Sequence, residues 1–160
     1  MFVGHDFLKN PDRADEFGFY AVVVDEVYAN ACRGDQGEVV TVGPDVQDLV
    51  DALLEQPGTV ESDPVDTTLG GFPAVRIDLR IAPRLDHRNC FLGPGTGVQV
   101  WHSRPTDKYF VLLPDEVVSV YVVDVDGMRQ VFLAGGFPRS VRDRAERQSV
   151  IDSISIKPDM

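Results

Sequence analysis

The residues from Val117 to Phe137 constrain the fold more than any other stretch. They read VVSVYVVDVDGMRQVFLAGGF, two apolar runs joined by Asp126-Gly127. Asp-Gly supplies the positive φ angles of a tight type I′ turn, so the stretch predicts a β-hairpin. In the first arm Val117, Tyr121, Val123 and Val125 alternate with Val118, Val120 and Val122, and both sets are apolar. Successive side chains of a strand point to opposite faces. A strand apolar on both is buried on both. The hairpin therefore predicts the central strand of a sheet covered on each side.

A chain of 160 residues is long enough for one domain with a substantial core. Its hydrophobic content of 43% and charged content of 26% are those of an ordinary globular protein. The formal net charge of −11 repels a phosphate backbone and argues against nucleic-acid binding. No apolar run has transmembrane length. The first residues, MFVGHDFLKNPDRADEF, lack a positive region followed by an apolar core, so they do not read as a signal peptide. The chain then either belongs in the cytosol or begins after an export segment. Two cysteines, Cys32 and Cys90, are too few for an all-thiolate zinc site and form no C-x-x-C pair. They read as two separate buried thiols or as one disulfide, and only the second implies an oxidising compartment.

Residues 1–16 are mixed and polar and predict a loose lead-in to a single domain over residues 17–158. Phe17 to Val24 is β-branched and aromatic, hence a strand, continuing through Val27-Tyr28 toward Cys32. Glu38 to Val42 predicts a short edge strand. Asp45 opens a helix with Asp48 three residues on, and Val46, Leu49, Val50, Leu53 and Leu54 form one apolar stripe. Gln56-Pro57-Gly58 stops it. Val60 to Thr68 is acidic and extended. From Ala74 to Ile81, Val75, Ile77, Leu79 and Ile81 alternate with Arg76, Asp78 and Arg80, a strand with a wet face. A long loop from Ala82 to Gly97 follows. Strands at Val98–Ser103 and Lys108–Leu113 precede the hairpin, and the short connections predict a four-stranded antiparallel meander from Val98 to Ala134. Ser140 with Asp143 predicts the start of a second helix reaching about Ser153. Its apolar stripe, Val141, Ala145, Ile151 and Ile154, is weaker, and Ser153 to Lys157 could add a terminal strand. The fold class is α+β: a mostly antiparallel sheet covered by two amphipathic helices.

No catalytic motif stands out. Asp124 to Gly127 begins like a calcium loop, but Arg129 and Gly135 stand where the EF-hand needs Gly and Glu. Gly93-Pro94-Gly95-Thr96-Gly97 lacks the Gly-Lys-Ser/Thr ending and the following helix of a phosphate cradle. Asp86, His87 and Cys90 lie close together, and with His102 they define the one arrangement open to a thiol nucleophile. His5, His87 and His102 have no metal-ligand spacing, so no metal and no cofactor are expected. Trp101 and His102 point to opposite faces of one strand. Arg139, Arg142, Arg144 and Arg147 make the second helix locally basic, either as a solvated face laced by ion pairs or as a docking surface. Trp101, His102, His87, Arg139 and Arg142 are the candidate ligand or partner contacts.

Several segments together, VVDEVYANAC, GPDVQDLVDALLEQP, TTLGGFPAVRIDL, the later Cys90, and VYVVDVDGMRQVFLAGGFP followed by DRAERQSVIDSISIKP, resemble a poorly characterised family of actinobacterial extracytoplasmic proteins. These are lipoproteins or ectodomains behind one membrane anchor. The resemblance spans about Phe17 to Pro158 and is specific in order and spacing. It implies the α/β sandwich of PsbP-like and LpqN-type proteins. It also implies that Cys32 and Cys90 are paired, which agrees with the polar residues beside each. The implied role is a non-enzymatic binding or interaction module of the cell envelope. Its partner would be an envelope protein or a small ligand, and any membrane contact would run through an anchor absent from this chain. The alternative is a small hydrolase or isomerase built from the Asp86–Cys90 loop and His102.

Overall fold

The computed structural model describes residues 7–9, 17–137 and 141–158. Among them the hairpin forms as its sequence dictates. Strand β10 (Val117–Val125) pairs in register with β11 (Met128–Gly136), and Asp126 and Gly127 turn between them at φ of 52° and 85°. The Asp124 carboxylate accepts from the Gly127 N–H at 2.7 Å and closes the turn. β10 is central, with β11 on one side and β7 (Phe72–Ile81) on the other.

The remaining strands are β1 (Phe7–Lys9), β2 (Phe17–Val22), β3 (Glu26–Tyr28), β4 (Val39–Thr41), β5 (Thr59–Glu61), β6 (Val65–Leu69), β8 (Val98–Ser103) and β9 (Lys108–Leu112). The helices are α1 (Val46–Leu54) and α2 (Val141–Asp152). The larger sheet runs β1-β2-β11-β10-β7-β5, with β6 also on β7, and the smaller runs β4-β3-β8-β9. All pairings described are antiparallel. The α+β class stands as expected from the sequence.

Connectivity departs from the expected meander. The hairpins β8–β9 and β10–β11 lie in different sheets. Pairing β10 with β7 sets Val118 opposite Leu79 and Val120 opposite Ile77. Four fully buried side chains thus share one face, each contributing about 1.5–3 kcal/mol by burial. The short link from Leu113 to Glu116 turns a corner between layers, with Asp115 at a φ of 64°. The first strand is also divided: β2 belongs to the larger sheet and β3 to the smaller. Residues 154–158 are irregular, so the terminal strand expected from Ser153 to Lys157 does not form.

Each face of β10 has its own cover. Val118, Val120 and Val122 pack with Leu49, Val50 and Leu53 of α1 and with Val27, Val98, Val100 and Leu112 of the smaller sheet. Tyr121, Val123 and Val125 pack with Phe132, with Ile151 of α2 and with Ile156 beyond it. The α1 start matches its sequence signal, since the Asp45 N–H donates to Asp48 Oδ2 at 2.9 Å. Leu54, expected on the stripe, is exposed. α2 is attached mainly at its C-terminal end: Ile151 is its only buried described residue, and Val141 is exposed. Ser140, the expected cap, lies outside the described residues, as does most of the lead-in.

Candidate functional site

Cys32 and Cys90 form a disulfide with a Cα–Cα distance of 4.6 Å. Their setting differs from the polar one read from neighbouring residues: Cys90 is buried in the main core and Cys32 packs against it. A buried polar network holds the same corner. The Tyr28 hydroxyl donates to Asp35, and Gln99 both accepts from the Asp35 N–H at 2.9 Å and donates to the Asp35 carboxylate at 3.2 Å. Burial, then the Asp35 carboxylate, push the Tyr28 phenol far above its ordinary pKa. Gln56 donates to the carbonyls of Tyr28 and Val100, both at 2.7 Å. Arg129 pins the opposite end, donating to the carbonyls of Gly43, Asp45 and Val24.

The candidate contact residues do not gather at one place. Trp101 is buried and stacks on Phe110 with ring centroids 4.6 Å apart, so it serves the core. His102 bridges two carboxylates, with Nδ1 3.5 Å from Glu26 and Nε2 3.2 Å from Asp107. His87 is half-buried in a short 3-10 turn, His87–Asn89. Beside it Asp86 binds Arg88 at 3.0 Å, and that contact holds its carboxyl below the usual range. Cys90 is consumed by the bridge, so the Asp86–Cys90 loop offers no thiol. Arg142 pairs with Glu146 one turn on, at 3.2 Å in solvent. Arg139 lies outside the described residues.

Several openings break the packing, and two of them bear on a site. One lies between the sheets, where the paired Gly18 and Gly135 leave about 100 Å³ lined by Tyr20, Phe110, Val118 and Leu133. The other is an open cleft of about 210 Å³ beneath α2, from Arg144 to Ile151. Its floor is the outer face of β7 and β10, where Asp78 stands opposite Ser119 and Arg76 opposite Tyr121. Ser119 donates to Asp78 at 2.6 Å, and Arg76 pairs with the same carboxylate at 3.3 Å. Arg144 and Arg147 of α2 line the roof. Arg147 lies over the Phe17 ring, 5.0 Å from its centroid. Burial lowers the Arg147 pKa from its ordinary value, and it likewise raises that of Tyr121. Arg76 Nε and Arg147 Nη2 are buried without an acceptor among the described residues.

Sequence patterning treated Arg76 and Asp78 as a wet face. α2 instead roofs them, and only Arg80 of the three is exposed. One signal was there to read: Ser119 interrupts the outer apolar face of β10 just where Arg76 and Asp78 lie alongside. No known protein family, no curated protein and no solved structure matches this chain.

Proposed function

We propose that this chain is an extracytoplasmic binding or interaction module of the cell envelope, as its resemblance to actinobacterial lipoproteins and ectodomains of the PsbP-like and LpqN type implies. The Cys32–Cys90 bridge carries the reading. Disulfides persist in oxidising compartments and are rare where thioredoxin and glutathione keep thiols reduced. This one joins residues 58 apart in sequence and is packed against the main core. The partner is an envelope protein or a small ligand. None of the described helices is long and apolar enough to cross a membrane.

The cavity beneath α2 supports binding over turnover. Arginine stays protonated and cannot act as a general base near neutral pH. The Ser119 hydroxyl points its proton at Asp78 with no imidazole between them, so the relay that activates a serine nucleophile is not assembled there. A hydrolase or isomerase of the Asp86–Cys90 loop would need a free Cys90 thiolate, which the bridge removes.

The test is thiol counting on protein made in an oxidising compartment and unfolded without reductant. No free thiol per chain is expected. Two would remove the basis for the compartment. Steady turnover of small esters or amides by the same preparation would replace the binding reading with an enzymatic one.

A further inference from the structure

We infer that the cavity beneath α2 binds a small organic monocarboxylate, its carboxylate held among Arg76, Arg144 and Arg147 and its apolar body set against Phe17 and Ile151. The inference rests on the reading of this chain as a binding module and names the chemistry of its ligand.

The cavity follows from two mismatched surfaces. On the outer face of β10, Tyr121, Val123 and Val125 are buried under the C-terminal half of α2 and the segment beyond it. Toward the other end Ser119 replaces the apolar run. Above it α2 supplies Arg144 and Arg147, not apolar side chains, so no core closes there. Three arginines line this space in a protein whose formal net charge is −11.

Two of the three hold a buried nitrogen without an acceptor among the described residues, Arg76 Nε and Arg147 Nη2. Leaving a buried donor unmet costs about 1–3 kcal/mol, and more for a charged group. A carboxylate has two oxygens and accepts from guanidinium donors in a paired, planar geometry. Ligand charge is bounded by the carboxylates already present. Asp78 takes part of Arg76, and Asp143 and Glu116 act on Arg147. These three carboxylates offset the three guanidinium charges, so the site suits a monoanion better than a phosphate dianion. Size is bounded as well. About 210 Å³ lies below the roughly 300–1,000 Å³ of sites for drug-sized ligands. A second opening of about 290 Å³ shares Arg76, Tyr121, Gln148 and Ile151 with it, so the limit applies to the part of the ligand set against Phe17 and Ile151: a single ring or a short chain.

Isothermal titration of the disulfide-intact chain with benzoate and hexanoate tests this, with benzamide and inorganic phosphate as comparisons. Saturable binding of at least one carboxylate is expected, with none of benzamide. Arg144→Gln and Arg147→Gln should each weaken it about tenfold or more. Arg142→Gln should leave it unchanged, since that side chain pairs with Glu146 in solvent. Arg144 is exposed, so its variant keeps the fold, and thermal melts verify this. Failure of both carboxylates at millimolar concentration overturns the inference, as does binding indifferent to Arg144→Gln. Tighter binding of phosphate than of benzoate overturns the ligand class. A neutral ligand bound only in the Gly18–Gly135 opening would overturn the inference and leave the binding-module reading standing.

Discussion

His102 sits where two carboxylates face one imidazole. Glu26 is buried and is shared with Arg104, whose Nε lies 2.9 Å from its carboxylate. Arg104 also holds Asp25, at 3.0 Å. Partial burial opposes the imidazolium, but hydrogen bonds to Asp107 and Glu26 and the charges of both outweigh it, so the His102 pKa is raised. The sign of the linkage follows. A group whose pKa rises on folding adds stability that is fully present below its unfolded pKa, about 6.5 for histidine, and lost as pH climbs through the folded value. The melting temperature should therefore fall as pH rises from about 6 to about 8, and the fall should flatten in His102→Gln. Melts of both proteins in matched buffers measure it. Parallel curves for wild type and variant would remove His102 as the cause.

Among the elements, the corner built from the start of β8, the Gly34–Gln36 turn and the Cys32–Cys90 bridge is held in two ways. The bridge closes a loop spanning 58 residues in sequence, worth about 4 kcal/mol in the loop-entropy model. The Tyr28, Asp35 and Gln99 network straps the same corner without a covalent bond. The double variant Cys32→Ala, Cys90→Ala should thus lose about 4 kcal/mol in urea unfolding while its circular dichroism keeps the native shape. A loss below about 1 kcal/mol, the size of one ordinary hydrogen bond, would mean that the polar network orders the corner alone. The same elements show what was legible in sequence. The β10–β11 turn and the α1 start are local, written in Asp126-Gly127 and in Asp45 with Asp48, and both form as read. The sheet assignment of β8 and β9 is non-local: it depends on Ile77 and Leu79 meeting Val118 and Val120, which a short turn at Pro114-Asp115 cannot announce. The weak stripe of α2 was visible, but the cavity beneath it also needed Ser119, Arg76 and Asp78 to be brought together by strand pairing.

For the whole molecule, charge decides how stability responds to salt. The chain carries 26 acidic and 15 basic residues. Two effects of added salt oppose each other. Screening weakens the exposed ion pairs, such as Arg88 with Asp86 and Arg142 with Glu146, each worth about 0–1 kcal/mol. Screening also relieves the mutual repulsion of the unpaired carboxylates, which folding crowds together. Their ranges separate the two. A chain of this length has a radius of gyration of about 15 Å when folded. The Debye length is about 30 Å at 0.01 M salt and about 8 Å at 0.15 M. At the lower concentration every charge acts on every other across the molecule, and at the higher only near neighbours do. Pairs at 3.0–3.3 Å largely survive that change, whereas repulsion across the protein does not. The melting temperature should therefore rise between about 0.01 and 0.15 M NaCl, and equally in KCl, because screening depends on ionic strength and not on the cation. A falling melting temperature over that range would show that the ion pairs outweigh the net charge. A rise in one salt only would point to a bound cation instead of screening.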